Sequence, residues 1–177
     1  DLYIRLVGEA VADYRGEDSE PEPEMRIELP VDAHLPDEYV ESERLRLEMY
    51  KRLAAVTSEA DIAAVREELV DRYGVPPAPV EALLAVASFR LLARRYGVHE
   101  VVSQGNLIRF APADLPDSAQ LRLARLYPGA QVRRAQGLIL VPRPTTRPIG
   151  GQPVTDAPLL AWAATVLADV FPAPVSG

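Results

Sequence analysis

The stretch Glu68-Leu69-Val70-Asp71-Arg72-Tyr73-Gly74 closes an amphipathic helix, and the organisation of the chain can be read outward from it. Leu69 and Tyr73 continue the apolar spacing begun by Ile62 and Val65, Gly74 is the stop signal, and Pro76 and Pro77 stand beyond it. Ser58 opens the same helix with Asp61 three residues on, a capping box with Asp in place of Glu. At about 100° per residue the apolar stripe centres on Val65 and Leu69. Asp61, Glu68 and Asp71 therefore fall on a flank or the far side, in solvent. Asp71 sits in the last turn against unpaired carbonyls, which is unfavourable by roughly 0.3–1 kcal/mol unless a cation answers it. Two readings follow. Either a basic partner face supplies that cation, or Glu68 pairs with Arg72 one turn on and Asp71 caps a local turn.

On the N-terminal side, Leu45, Met49, Leu53 and Val56 predict a helix from about Ser42. Met25-Arg26-Ile27-Glu28-Leu29 alternates like a half-buried strand, between an acidic, Pro-containing link (17–24) and Pro30. Leu2 to Tyr14 carries helical spacing that ends near Gly16. On the C-terminal side, Pro79 suits the first turn of a helix running to Tyr96 and capped by Gly97. That helix is apolar nearly all round, which makes it the candidate central core helix. Hairpins are predicted at Val98–Ser103 with Leu107–Phe110 and at Gln131–Arg134 with Leu138–Val141, and helices at Pro116–Tyr127 and Leu159–Phe171. Residues 142–158 read as a Pro/Gly/Thr-rich loop without periodicity, and 172–177 as a loose tail. The expected fold class is α+β, in one domain. A mainly helical half with one strand (1–97) packs with a half of two β-hairpins and helices (98–171).

Composition narrows the function. A hydrophobic fraction of 48% and a charged fraction of 25% suit a globular domain and argue against wholesale disorder. No apolar run approaches the roughly 18–20 residues of a membrane span, so no membrane partner is expected. The absence of cysteine removes disulfides and thiolate chemistry and leaves a reducing cytoplasm as the expected location. Helical periodicity that begins at Leu2 without an initiator Met suggests a piece of a longer polypeptide. Charge is uneven: residues 1–74 hold 20 acids against 9 bases, and residues 75–177 hold 6 against 10. The acidic part favours a basic protein face, while the basic part could touch phosphate through Arg94, Arg95, Arg122, Arg125, Arg133 and Arg134.

Recognisable catalytic signatures are missing. The sole lysine, Lys51, lies mid-helix with no Gly-rich turn before it, so no phosphate loop is present, and neither Gly-x-Gly-x-x-Gly nor Gly-x-Ser-x-Gly occurs. His99-Glu100-Val101-Val102-Ser103 places Ser where a zinc helix needs its second His, and His34 is the one other histidine. Carboxylate pairs such as Asp37/Glu38 and Glu67/Glu68 lie in solvated contexts that would not split their pKa values. Tyr39, Tyr50 and Tyr73 read as packing residues with a wet hydroxyl end. No catalytic, cofactor-binding or metal site is expected in the chain.

Several motifs occur together in one order. Leu35-Pro36-Asp37-Glu38-Tyr39-Val40 is followed by Arg44-Leu45 through Tyr50-Lys51-Arg52, and then by Glu68 to Gly74 with Pro76 and an apolar helix behind. This order resembles the C-terminal domain of bacterial transcription-repair-coupling factors, the Mfd family. The likeness covers at least residues 1–97. Beyond 98 it is one of shape more than sequence, and the loop 142–158 has no counterpart. The Arg/Ala-rich composition looks actinobacterial. The resemblance implies a non-catalytic regulatory domain of an ATP-driven double-stranded DNA translocase, with ATP and Mg bound in a motor outside this chain. It further implies that the parent displaces stalled RNA polymerase and recruits UvrA. This domain would clamp the UvrB-like, UvrA-binding domain of the same polypeptide and restrain the motor at rest. With that resemblance, the contact residues expected are Glu68, Asp71 and Arg72. The alternative is a nucleic-acid-binding module using the Arg-rich C-terminal half.

Overall fold

The structure, a computed structural model, describes residues 24–173 of the 177-residue chain. The helix expected over Leu2–Tyr14, almost all of the acidic link and the end of the tail lie outside the described residues. The described residues fall into two compact units, one built on 32–91 and the other on 26–31 with 92–173.

The first unit holds helices α1 (Glu43–Ala55) and α2 (Glu59–Tyr73) and most of α3 (Ala78–Arg95). Serine caps start the first two. Ser42 Oγ accepts from the Leu45 amide at 3.3 Å and Ser58 Oγ from the Asp61 amide at 3.2 Å. Asp61 returns the bond one residue earlier than a standard capping box does, accepting from the Thr57 amide at 2.9 Å and the Thr57 hydroxyl at 3.2 Å. The Thr57 amide is the leading reason that the Asp61 carboxyl titrates below its ordinary range.

Met49 and Leu53 of α1, Ile62, Val65 and Leu69 of α2, and Val80, Leu83, Leu84, Ala87 and Leu91 of α3 form one core with Leu35, Val40 and Val56. The expectation of a core helix over 79–96 is met within this unit by those five α3 side chains. Arg90, only 8% exposed, turns its guanidinium onto the Leu53 carbonyl at 2.6 Å, satisfying one of the carbonyls that α1 leaves open at its C-terminal end. The Tyr50 hydroxyl, expected to be wet, instead accepts from the Leu35 amide at 2.8 Å.

The second unit is a five-stranded mixed sheet with two helices. Strands β1 (Arg26–Glu28), β2 (Glu100–Gln104), β3 (Leu107–Ala111), β4 (Gln131–Arg133) and β5 (Leu138–Pro142) lie in the order β1-β2-β3-β5-β4. β1 runs parallel to β2, pairing Ile27 with Val101, and every other neighbour is antiparallel. Helices α4 (Asp117–Leu126) and α5 (Asp156–Val170) complete the unit. Phe110 meets the rings of both Trp162 and Phe171 with centroids 6.2 Å away, and Tyr127 meets Trp162 edge-on at 6.3 Å.

The fold is α+β, as the sequence predicts, with four differences of detail. The two hairpins are joined into one sheet because β3 pairs with β5, Phe110 opposite Ile139. The second hairpin turns through a short 3-10 segment, Arg134–Gln136, and closes at Gly137 with φ +66°. α5 begins at Asp156 rather than Leu159, since the ring of Pro158 is tolerated in a first turn that needs no amide from it. Residues 144–154, read as irregular loop, contain a hydrogen-bonded two-stranded arm. No helix of the described residues is long and apolar enough to cross a membrane.

Candidate protein-contact site

The C-terminal turns of α2 carry all three predicted contact residues, but each has different surroundings. Glu68 is half-exposed and accepts at its Oε2 an ion-paired hydrogen bond from Nη1 of Arg52 on α1. The pairing of Glu68 with Arg72 one turn away is therefore not the one formed. Arg72 is exposed and lies over the neighbouring Tyr73 ring, Cζ to centroid 5.6 Å, a cation–π contact. Asp71 is exposed and makes no hydrogen bond or ion pair among the described residues, so it does not cap a local turn. Its carboxylate remains at the negative end of the helix dipole without a cation of its own.

The helix terminus beside it is tightly determined. Gly74 ends α2 with φ +88°, a backbone angle that a side chain would strain, and its amide bonds the Val70 carbonyl at 2.9 Å. The Tyr39 hydroxyl serves the carbonyls of Gly74 at 2.8 Å and Leu69 at 3.1 Å. Burial raises the pKa of that phenol, with Glu81 adding to the effect. Two large apolar side chains next to the acids are exposed, Val70 at 38% and Val75 at 88%. The result is a rigid helix end that presents Glu67, Asp71 and two valines to solvent.

Sequence reasoning missed Arg52, Tyr39 and Val75 at this edge. Arg52 had no signal to give, because its pairing with Glu68 depends on how two helices cross. Val75 had one: an apolar residue between Gly74 and Pro76 has no helix or strand to bury it. No group of three or more His, Asp or Glu among the described residues is placed to hold a metal ion. His99 precedes β2, and burial lowers its imidazole pKa, with Arg94 adding to the effect.

Comparison with known proteins identifies the family. The TRCF domain family matches residues 29–121, just over half of the chain, from just after β1 into α4 and including the whole of α2. The chain belongs to the TRCF domain family. Transcription-repair-coupling factors of Mycobacterium bovis and Mycobacterium tuberculosis are 44% identical to it over 179 residues, covering 94% of this chain. The factor of Staphylococcus epidermidis is 38% identical over 111 residues, 62% of this chain. The mycobacterial relatives agree with the actinobacterial character of the composition. This TRCF domain spans 14% of the mycobacterial proteins' length. The crystal structure of a C-terminal domain of transcription-repair coupling factor shares the fold, with a TM-score of 0.62 at 18% identity over 84% of this chain and 94% of that one.

Proposed function

We propose that this TRCF domain is a non-catalytic regulatory part of a larger, cytoplasmic transcription-coupled repair translocase, and that it acts by holding a neighbouring domain of the same polypeptide. The UvrB-like, UvrA-binding domain is the partner in this reading. In the resting state the contact hides the UvrA-binding surface and restrains a motor that lies elsewhere in the chain. The observation that carries the proposal is Asp71, an exposed carboxylate without an internal cation at the negative end of α2. A basic partner face would relieve its unfavourable position, and the exposed Val70 and Val75 offer apolar area beside it.

Within the proposed contact the three acid and base positions take unequal roles. Asp71 is free to meet a partner cation directly. Glu68 must share its carboxylate with Arg52, and Arg72 must leave or carry along its ring contact. A contact made largely of such charges is weakened by salt and can open, as a reversible clamp must. In the full-length protein, Asp71→Arg combined with Glu68→Arg is expected to raise basal ATPase activity and UvrA binding. The proposal fails if both remain at wild-type levels while the domain keeps its fold. Titrating this domain against the separated partner domain supplies the direct measurement, with Asp71→Arg alone accounting for most of the lost affinity.

A further inference from the structure

The arm at residues 144–154 is built rather than loose. The Thr146 amide donates to the Gln152 carbonyl at 2.8 Å, the Val154 amide to the Pro144 carbonyl at 2.9 Å, and Thr145 bridges to Pro153 in antiparallel fashion. The Gln152 amide adds a bond to Thr146 Oγ1 at 3.0 Å, and Thr145 Oγ1 donates to the Arg147 carbonyl at 2.7 Å. At the base, Arg143 donates to the Val154 carbonyl from Nε and Nη2 at 3.2 and 3.0 Å, and its amide bonds the Asn106 carbonyl at 2.8 Å. The tip is equally determined. Gly150 has φ +71°, and a Cβ on Gly151 would lie 2.4 Å from the Arg147 amide nitrogen, so only glycine permits this closure.

What the tip presents is an unusual pair. Ile149 is 90% exposed. Arg147 is exposed too, and its guanidinium makes no hydrogen bond or ion pair among the described residues. Pro148, with its fixed φ, joins them. The charge around the arm in sequence is one-signed, since residues 118–155 contain six arginines and no Asp or Glu. Only Arg134 of the six has a carboxylate partner among the described residues, Asp117 at 3.3 Å just before the stretch, and the charge that remains favours a polyanion.

We infer that this arm is a DNA-binding element that places Arg147 and Ile149 in the minor groove of a duplex. The minor groove, about 6 Å wide, is too narrow for a helix but admits an extended tip. Its potential is most negative where A·T-rich sequence narrows it, and a guanidinium is drawn there. Exposed isoleucine and proline are the side-chain types that wedge between base steps from that side. The prebuilt arm has little conformational freedom left to lose on binding, which answers how so small a tip could contribute measurably. The inference is independent of the clamp on α2, which engages a different unit of the chain.

The test measures anisotropy of short labelled A·T-rich and G·C-rich duplexes with the whole chain, and competes them with polyglutamate. Binding at about 50 mM salt is expected to fall steeply as salt rises and to be tighter on the A·T-rich duplex. Arg147→Ala should lower the salt slope by about one. Arg147→Glu with Ile149→Ser should weaken binding at least about tenfold with an unchanged melting temperature, since neither side chain is packed. Gly151→Ala, which alters the tip without touching charge, should weaken it as well. The inference is overturned by the absence of duplex binding at low salt, or by binding that survives these changes. It is likewise overturned if polyglutamate binds as tightly as duplex and is lost with the same variants, which would mark the arm as a contact for an acidic protein.

Discussion

Tyr39 and Tyr73 lie ring against ring, centroids 5.6 Å apart and planes inclined by 56°, yet only Tyr39 uses its hydroxyl. The Tyr73 hydroxyl is buried without a hydrogen-bond partner among the described residues. Chemically identical substitutions should therefore differ. Tyr39→Phe strips a donor from the Leu69 and Gly74 carbonyls and is expected to cost about 1–2 kcal/mol. Tyr73→Phe removes a polar atom that gains nothing from burial and is expected to leave stability unchanged or slightly raised. Urea melts of the two variants check the contrast, and equal losses would contradict the hydrogen-bond assignment.

The Arg52–Glu68 pair is open to solvent on both sides, its side chains 44% and 38% exposed. Screening limits such pairs to about 0.2–1 kcal/mol. A double-mutant cycle with Arg52→Ala and Glu68→Ala is expected to return a coupling in that range that shrinks with added salt. If the clamp reading holds, Arg52→Ala should also strengthen partner binding slightly, by releasing Glu68.

Arg90 is a harder position to change. Replacing it with Met keeps much of the apolar stem but leaves the buried Leu53 carbonyl without its 2.6 Å donor. The expected loss is about 1–3 kcal/mol, or a fall in melting temperature of roughly 2–4 °C for each kcal/mol in a chain of this size. A melting temperature within a degree of wild type would show that the guanidinium bond contributes no net stability.

His99 supplies a pH dependence. Burial, the larger cause, and then Arg94 lower its pKa in the folded chain, with Glu100 partly opposing. In the unfolded chain the imidazole takes up its proton near pH 6.5. Between that pH and the lower folded value the unfolded state binds more protons, so stability falls as pH descends through this window. Chemical denaturation at roughly pH 8 and pH 5.5 is expected to show the fall, and His99→Gln to flatten it. The lowered carboxyls of Asp61 and Glu28 act in the same direction at more acid pH, outside this window.

Much of this was legible because local rules and tertiary packing agree. Ser58 with Asp61, the stripe through Ile62, Val65 and Leu69, and Gly74 mark α2 at both ends, and the structure runs the helix from Glu59 to Tyr73. α3 was evident from its lack of a polar face. What stayed hidden depends on pairs distant in sequence. Nothing in residues 25–29 says that the strand joins a neighbour beyond three helices, and nothing in Arg52 says that Glu68 is beside it. The arm escaped because its bonds are few and its order rests on two glycines and on Arg143, while its sequence has no period to read. At the end of α2 the sequence marked Asp71 as anomalous, and it stays so in the structure: Arg72 lies over the Tyr73 ring and Arg52 pairs with Glu68.

The parallel pairing of β1 with β2 also orders events in time. Ile27 leaves the ribosome well before Val101, and all of α1, α2 and α3 are made in between. Helices close by local contacts and quickly, whereas a strand whose neighbour has not yet been synthesised must wait. Arg26–Glu28 therefore spends that interval as an open edge. Its two charged residues, which flank a single isoleucine, suit a segment that must avoid pairing with a stranger before its own partner arrives.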